Sequence, residues 1–163
     1  ENYYGNLLID ADGLNTLATY GAEILKSAKC KVVLTPHIKE FSRLVDKEVG
    51  EIITDTVPLA INFAKEYGVV LVLKSATSVI TDGTEFYLNT TGCNGLAKAG
   101  SGDILSGVIC GLMVNNPPFE SAIAGCYLFG LAGEIACKEQ NEYTMTATDV
   151  INCLPKAINR ICK

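Results

Sequence analysis

The segment that decides the interpretation of this chain is Gly100-Ser101-Gly102-Asp103-Ile104-Leu105-Ser106-Gly107. Its glycines and small hydroxyl residue lead into an apolar helical run, so a helix beginning near Gly102 exposes bare N–H groups and a positive dipole end. Both favour a bound phosphate. Asp103 follows where that phosphate would lie, which predicts a general base for the attacking hydroxyl. The alternative is that Asp103 only caps the helix.

A long polar loop, Asn89–Ala99, precedes this segment and carries two glycines. Loops of this length inside a compact domain are usually functional or disordered. Because this one ends at a predicted anion-binding helix start, we expect it to be functional. Cys93 lies within it, and a catalytic thiol at that position is an alternative to a phosphate site.

Composition limits the classes of function that remain. A hydrophobic content of 48% and a charged content of 19% in 163 residues are typical of a soluble, well-buried α/β domain. The net charge of −5, with no basic run, argues against nucleic-acid binding. No apolar stretch approaches membrane-spanning length and no signal peptide opens the chain, which predicts a cytoplasmic protein without a membrane partner.

The 7 cysteines are an odd number and show no CxxC spacing. A disulfide framework or a zinc site requires closer clustering, so no metal-ligating residues are predicted. Most of these cysteines fall in apolar helical patterns. We therefore expect small buried side chains in a reducing compartment.

Hydrophobic periodicity divides the chain into alternating strands and helices. The predicted strands are Leu7–Ile9, Lys31–Thr35 and Val69–Lys74, followed by a surface hairpin of Val79–Thr81 and Glu85–Leu88 around Asp82-Gly83. The predicted helices are Leu14–Lys26, Glu40–Val45, Pro58–Tyr67, Ile104–Val114, Phe119–Glu139 and Ala147–Ile161. This alternation predicts an α/β protein, a three-layer α/β/α sandwich with a mostly parallel sheet.

Ligands of such sheets bind beyond the carboxyl ends of the strands. Polar residues that follow the predicted strands are Asp12, Asn15, Thr35, His37 and Lys74 to Ser78. Each also has a structural explanation: a histidine hydrogen-bonded to backbone, a lysine reaching solvent, or residues in the first turn of a helix. Their convergence on one edge favours a ligand site.

Four ordered motifs carry a family resemblance: Asp10-Ala11-Asp12-Gly13-Leu14-Asn15, Leu34-Thr35-Pro36-His37-Ile38-Lys39-Glu40-Phe41, Leu73-Lys74-Ser75-Ala76-Thr77 and Ala99-Gly100-Ser101-Gly102-Asp103. The chain resembles the ADP/ATP-dependent NAD(P)H-hydrate dehydratases of the ribokinase-like superfamily over nearly its whole length. That resemblance implies a metabolite-repair lyase. ADP or ATP, with Mg2+, would phosphorylate the hydroxyl of the 6S hydrate of NADH or NADPH, and loss of phosphate would restore the dihydronicotinamide.

The resemblance also implies residue roles. Asp103 matches the family's general base and contacts the hydrated dinucleotide. Further substrate contacts are implied at His37, Glu40, Asp12 and Asn15. The nucleotide site would be formed by Lys74, Ser75, Ala76, Thr77, Ser78, Asn94, Gly95, Leu96, Ala97, Gly100, Ser101 and Gly102.

Family domains of this kind begin well before the Asp-Ala-Asp motif. Residues 1–163 are therefore expected to be the C-terminal portion of one ribokinase-like domain. Such a portion would expose a sheet edge and an apolar face, which predicts a homo-oligomer, and alone it is expected to be inactive. Two alternatives stay open: a ribokinase-like kinase for a vitamin precursor or sugar, and a non-enzymatic nucleotide-binding fragment.

Overall fold

The computed structural model describes residues 2–162 and contains a five-stranded sheet in the order β1-β2-β3-β4-β5. The strands are β1 (Asn6–Ile9), β2 (Lys31–Leu34), β3 (Val70–Leu73), β4 (Ser78–Thr81) and β5 (Phe86–Asn89). The first three pair in parallel, and β4 pairs antiparallel with both β3 and β5. The sheet is therefore mixed, but four of its five strands run in the same direction because β4 alone is reversed.

Seven α-helices accompany these strands in the described residues. They are α1 (Asp12–Tyr20), α2 (Ile38–Val45), α3 (Val49–Thr54), α4 (Thr56–Tyr67), α5 (Ser101–Leu112), α6 (Pro118–Glu139) and α7 (Ala147–Ile161). Two 3-10 helices cover Ala22–Ser27 and Asn94–Leu96. The predicted helices Phe119–Glu139 and Ala147–Ile161 agree with the bounds of α6 and α7 to within one residue.

Alternation along the buried strands separates the core into two layers. Leu34, Leu71 and Leu73 pack with α1 to α4 on one face of the sheet. Val33 and Val72 point to the opposite face, against α5 and α6. A further apolar cluster joins α6 to α7. Because helices cover both faces, the predicted three-layer α/β/α architecture is confirmed.

Two predicted elements differ from the structure. The helix predicted over Leu14–Lys26 ends at Tyr20, because Gly21 takes a φ of 91° and the chain continues as a 3-10 helix. The short α3 was not predicted; reciprocal hydrogen bonds between Glu48 and Glu51 begin it. Neither difference moves a residue of the predicted ligand edge.

The predicted hairpin is confirmed, since β4 and β5 pair antiparallel, but its expected surface position and its turn at Asp82-Gly83 were wrong. β4 is buried inside the sheet, whereas β5 lies at one edge of it, with Phe86 half exposed. The turn is not the tight Asp82-Gly83 pair. Asp82 Oδ1 accepts hydrogen bonds from the N–H groups of Thr84 and Glu85, each at 2.8 Å, so the side chain supports a wider turn.

Helix α6 corrects the expectation that no apolar stretch is of membrane-spanning length. Its 22 residues are long and apolar enough to cross a membrane by length and composition alone. Half of that apolar window is buried inside the protein, where it contacts the sheet, α5 and α7. Its composition is therefore explained by its position as a core helix.

The cysteines are less buried than expected. All 7 are free thiols, but only Cys126 and Cys153 are fully buried, whereas Cys110 and Cys162 are exposed. Apolar periodicity located these residues in helices without distinguishing the inner face of each helix from the outer one.

Glycines on α6 allow the loop that follows β5 to lie directly on the helix. A Cβ at Gly130 would be 2.1 Å from Thr91 Oγ1 and 2.7 Å from the Thr91 carbonyl oxygen. Thr91 Oγ1 also donates a 3.1 Å hydrogen bond to the Tyr127 carbonyl. The path of this loop toward α5 therefore depends on glycine, which has no side chain, at position 130.

We predict that Gly130→Ala destabilises the protein by about 1–3 kcal/mol, because the new methyl group meets backbone atoms that cannot move away cheaply. Gly107→Ala is the matched control, since a Cβ there meets nothing within 4 Å. That variant should be neutral or more stable by up to about 1 kcal/mol. Urea unfolding measures both, and equal effects of the two substitutions would contradict the close packing.

Candidate phosphate-binding site

The carboxyl ends of β1, β2 and β3 meet at the start of α5. Lys74 follows β3, and its N–H donates to the Pro36 carbonyl at 2.8 Å, which places the end of β3 beside the end of β2. Lys74 Nζ lies 3.0 Å from Asp10 Oδ1, at the end of β1. A Cβ built on Gly102 would lie 3.6 Å from Lys74 Nζ. The predicted convergence is therefore present for Lys74 and Gly102.

The first turn of α5 presents the groups that an anion needs. Gly100 precedes the helix with a φ of 86°, a conformation that glycine adopts without strain. Among residues 2–162, no acceptor forms a hydrogen bond with the N–H groups of Gly102 and Asp103. These two donors, the helix dipole and the nearby ammonium group of Lys74 form an anion-binding arrangement.

Asp103 lies in the same turn and is exposed to solvent. The residue is therefore accessible to a ligand. The residue also lies at the rim of an apolar groove of about 630 Å³ between α5 and α7, with Ile104, Leu154 and Ile158 among the lining residues. A carboxylate in this position is open to a hydroxyl-bearing molecule and is not enclosed by the core.

Asp10 is a site residue that the sequence prediction missed. Its carboxylate accepts hydrogen bonds from Lys74 Nζ, from Ser106 Oγ at 2.9 Å and from the Ala11 N–H at 2.9 Å. Burial raises the pKa of Asp10, but the charge of Lys74 and these hydrogen bonds outweigh it, so the pKa lies below its ordinary value. The signal was present, since Asp10 directly follows the first predicted strand and Ser106 lies one helical turn beyond Gly102.

The other predicted nucleotide residues occupy two segments. Ser75, Ala76 and Thr77 form an exposed turn between β3 and β4, and Ser78 begins β4. In the loop before α5, Asn94 and Ala97 are exposed, whereas Gly95 is buried against Met145 and Leu96 packs on Gly133 of α6. Gly95 and Leu96 therefore have clear packing roles.

Lys98 fixes this loop to the segment before α7. Its Nζ donates to the carbonyl oxygens of Met145 and Tyr143. On the other side of the loop, the Gly92 N–H donates to Glu134 Oε1 at 3.0 Å. Ser101, which follows Lys98, is buried in the first turn of α5. The loop is thus held at both ends as it leads into the helix.

Cys93 does not have the character of a nucleophile. Burial and its hydrogen bond with Cys137 raise the pKa of the Cys93 thiol above its ordinary value, so the thiol stays protonated at neutral pH. Its Sγ donates to the Gly133 carbonyl at 3.4 Å. The loop cysteine therefore packs against α6 and is not activated.

The predicted substrate residues make local hydrogen bonds. His37 caps α2: its Nδ1 accepts from the N–H groups of Lys39 and Glu40, and Glu40 accepts from the His37 N–H at 2.8 Å. Asn15 Oδ1 accepts from Arg43 at 2.8 Å and links α1 to α2. Asp12 is exposed in the first turn of α1, after Ala11. These contacts are the structural explanations that the sequence left open.

Acidic side chains are candidate ligands for a metal ion. Within residues 2–162, no cluster of three or more His, Cys, Asp or Glu side chains is arranged to hold a metal ion. A cation at this site would therefore have to be bound mainly by the ligand's own phosphates.

Comparison with known proteins identifies the family. The family model for NAD(P)H-hydrate dehydratase matches residues 1–156, and the chain belongs to this family. The chain is 39% identical over 157 residues to the bifunctional NAD(P)H-hydrate repair enzyme Nnr of Moorella thermoacetica. The matched region covers 94% of this chain and 29% of that protein.

Solved structures agree with this assignment. An ADP/ATP-dependent NAD(P)H-hydrate dehydratase from Bacillus subtilis, co-crystallised with ATP and Mg2+, superimposes with a TM-score of 0.83 at 29% identity, covering 95% of this chain and 55% of that chain. A ribokinase-like superfamily protein from Enterococcus faecalis gives a TM-score of 0.77 at 28% identity, covering 94% and 52%. The ribokinase-like fold is confirmed, and the chain spans about half the length of these proteins.

We predict that the Asp10–Lys74 pair stabilises the protein in a pH-dependent way. Because the pKa of Asp10 is lowered in the folded state, its contribution is present above the ordinary value near 3.8 and is lost as the pH falls through the folded pKa. Asp10→Asn should cost about 1–3 kcal/mol at pH 7. The difference in unfolding free energy between Asp10→Asn and the wild type should become smaller below about pH 4.

Unfolding by urea between pH 7 and pH 3 measures this difference. Lys74→Met, which removes the partner of the same carboxylate, is the control and should show the same narrowing. A difference that is constant across the whole range would contradict the ion pair.

Proposed function

We propose that this chain carries the phosphoryl-transfer site of an ADP/ATP-dependent NAD(P)H-hydrate dehydratase. The observation that supports the proposal most is the first turn of α5, which carries two unpartnered N–H groups and the exposed Asp103 carboxylate and has the Lys74 ammonium beside Gly102. The Bacillus subtilis relative, an ADP/ATP-dependent NAD(P)H-hydrate dehydratase, supports the same nucleotides and substrate for this chain.

The proposed reaction has two steps. The terminal phosphoryl group of ADP or ATP is transferred to the hydroxyl of the 6S hydrate of NADH or NADPH, and Asp103 accepts the hydroxyl proton. The C–O bond to the phosphate then breaks and the neighbouring ring carbon loses a proton to solvent, so inorganic phosphate leaves and the carbon–carbon double bond of the dihydronicotinamide forms. The N–H groups of Gly102 and Asp103 stabilise the negative charge that develops on the transferred group.

Lys74 supplies the positive charge beside these donors, and Gly100 and Ser101 set the start of the helix. The exposed turn Ser75–Thr77 is proposed to border the nucleotide. Magnesium is proposed to bind the nucleotide phosphates and neutralise part of their charge. The cytoplasmic location, the homo-oligomeric state and the substrate contacts of His37, Glu40, Asp12 and Asn15 stay predictions.

We predict that Asp103→Asn lowers turnover by about 10²–10⁴-fold while ADP binding stays within a few-fold of the wild type, because the variant loses proton transfer and keeps the amides. Recovery of NADH absorbance from NADH hydrate measures turnover, and calorimetry measures binding. Both measurements use the chain itself. If the chain alone shows no turnover or no binding, they use the chain joined to the part of the Bacillus subtilis protein that it does not match.

Glu120→Gln is the matched control, because Glu120 is an exposed acid in the first turn of a different helix, α6. It should change neither measurement. Near-normal turnover of Asp103→Asn would contradict the proposed base. Accumulation of a stable phosphoester from another alcohol would instead identify a kinase, and nucleotide binding without any turnover would identify a binding module.

A second prediction concerns Gly102. A Cβ there would make ordinary contacts with Lys74 Nζ at 3.6 Å and Asp10 Oδ2 at 3.8 Å, so Gly102→Ala should keep most of the ADP affinity. The branched side chain of Gly102→Val would displace the ion pair and cover the amides, and ADP affinity should fall at least about tenfold. Calorimetric titration with ADP and ATP tests this, and unchanged affinity in Gly102→Val would contradict an anion site at this turn.

A further inference from the structure

Asp10 is a carboxylate that the proposed reaction does not use. Its side chain is 15% exposed, and its two oxygens accept hydrogen bonds from three different parts of the chain. Oδ1 accepts from Lys74 Nζ and from the Ala11 N–H, and Oδ2 accepts from Ser106 Oγ. One side chain thus joins the end of β1, the end of β3 and the second turn of α5.

The backbone next to Asp10 is held in an unfavourable conformation. Ala11 has a φ of 47° and a ψ of −115°, although it is not a glycine. Residues outside glycine occupy such positive φ values only where surrounding contacts hold them. The hydrogen bond from the Ala11 N–H to Asp10 Oδ1 is one such contact. The carboxylate is therefore fixed by its own backbone as well as by its partners.

The ion pair lies against the turn where the phosphate is proposed to bind. A Cβ on Gly102 would be 3.8 Å from Asp10 Oδ2 and 3.6 Å from Lys74 Nζ, so the pair occupies the space beside a residue without a side chain. A free lysine samples many rotamers and loses that freedom when it binds a ligand. Lys74 has lost it already, because Asp10 holds its end.

We infer that Asp10, supported by Ser106, is the positioning residue for Lys74: it holds the ammonium group against the first turn of α5, where that group meets the nucleotide's phosphate. The inference rests on the proposed function, in which Lys74 binds that phosphate. Asp10 itself does not touch the nucleotide in this arrangement. Its contribution is to fix the direction and distance of a positive charge before the ligand arrives.

Simple electrostatics predicts the opposite effect of removing Asp10. Loss of a negative charge beside an anion site would strengthen anion binding if nothing else changed. A positioning role predicts weaker binding, because the released ammonium group turns toward solvent. The sign of the change therefore separates the two explanations.

The test is a double-mutant cycle on the chain, with ADP affinity measured by calorimetry. Asp10→Asn alone should weaken ADP binding at least about tenfold, and Lys74→Met alone should weaken it at least as much. In the Lys74→Met background, Asp10→Asn should have no further effect. Asp10→Glu should restore part of the affinity, and Ser106→Ala should weaken binding about two- to threefold. Glu139→Gln, which breaks the exposed Glu139–Lys156 pair, is the control and should leave ADP binding unchanged.

A measurement without nucleotide keeps this inference separate from the proposed function. Brief acetylation with acetic anhydride, followed by mass spectrometry, should modify Lys74 several-fold faster in Asp10→Asn than in the wild type, relative to Lys156. Unchanged acetylation, tighter ADP binding in Asp10→Asn, or additive effects of the two substitutions would overturn the positioning role. Absence of ADP binding, both by the chain and by the chain joined to the unmatched part of the Bacillus subtilis protein, would overturn the proposed function, while the acetylation ratio still reports whether Asp10 holds Lys74.

Discussion

The ion pair between Asp10 and Lys74 is the interaction on which the site depends, because it fastens two strand ends to the first turns of one helix. The strands fix where each partner begins, since β1, β2 and β3 are parallel and finish at the same edge. Helix α5 lies beside the pair, since a Cβ at Gly102 would be in van der Waals contact with Lys74 Nζ and Asp10 Oδ2. The position of a positive charge beside two free amides follows from these packing constraints.

The path of the chain into α5 depends on a second set of close contacts. Because β4 is reversed, β5 runs in the direction of β1 and delivers the following loop to the same edge. Gly130 and Gly133 let that loop lie on α6, and Lys98 fixes it to the segment before α7. The long apolar helix α6 therefore positions the segment Gly100–Gly102 through the preceding loop, although none of the predicted site residues lies on α6.

Periodicity was sufficient to predict the layers of the fold, and the glycines were sufficient to predict where the turn ends and α5 begins. Neither signal was sufficient to predict the role of Asp10, because its pairing with Lys74, 64 positions away in the chain, depends on strand order. The first motif contains two aspartates, and the prediction chose Asp12, which the structure exposes on α1. His37 caps α2, the local role that the sequence left open, and its contact with the substrate stays a prediction.

The most direct test of this account is a crystal structure of the chain soaked with ADP. The account predicts a β-phosphate oxygen about 2.7–3.2 Å from the N–H groups of Gly102 or Asp103, with Lys74 Nζ on the same phosphate and Asp10 still bound to Lys74. Nucleotide bound at another surface, with the first turn of α5 free of phosphate, would contradict it.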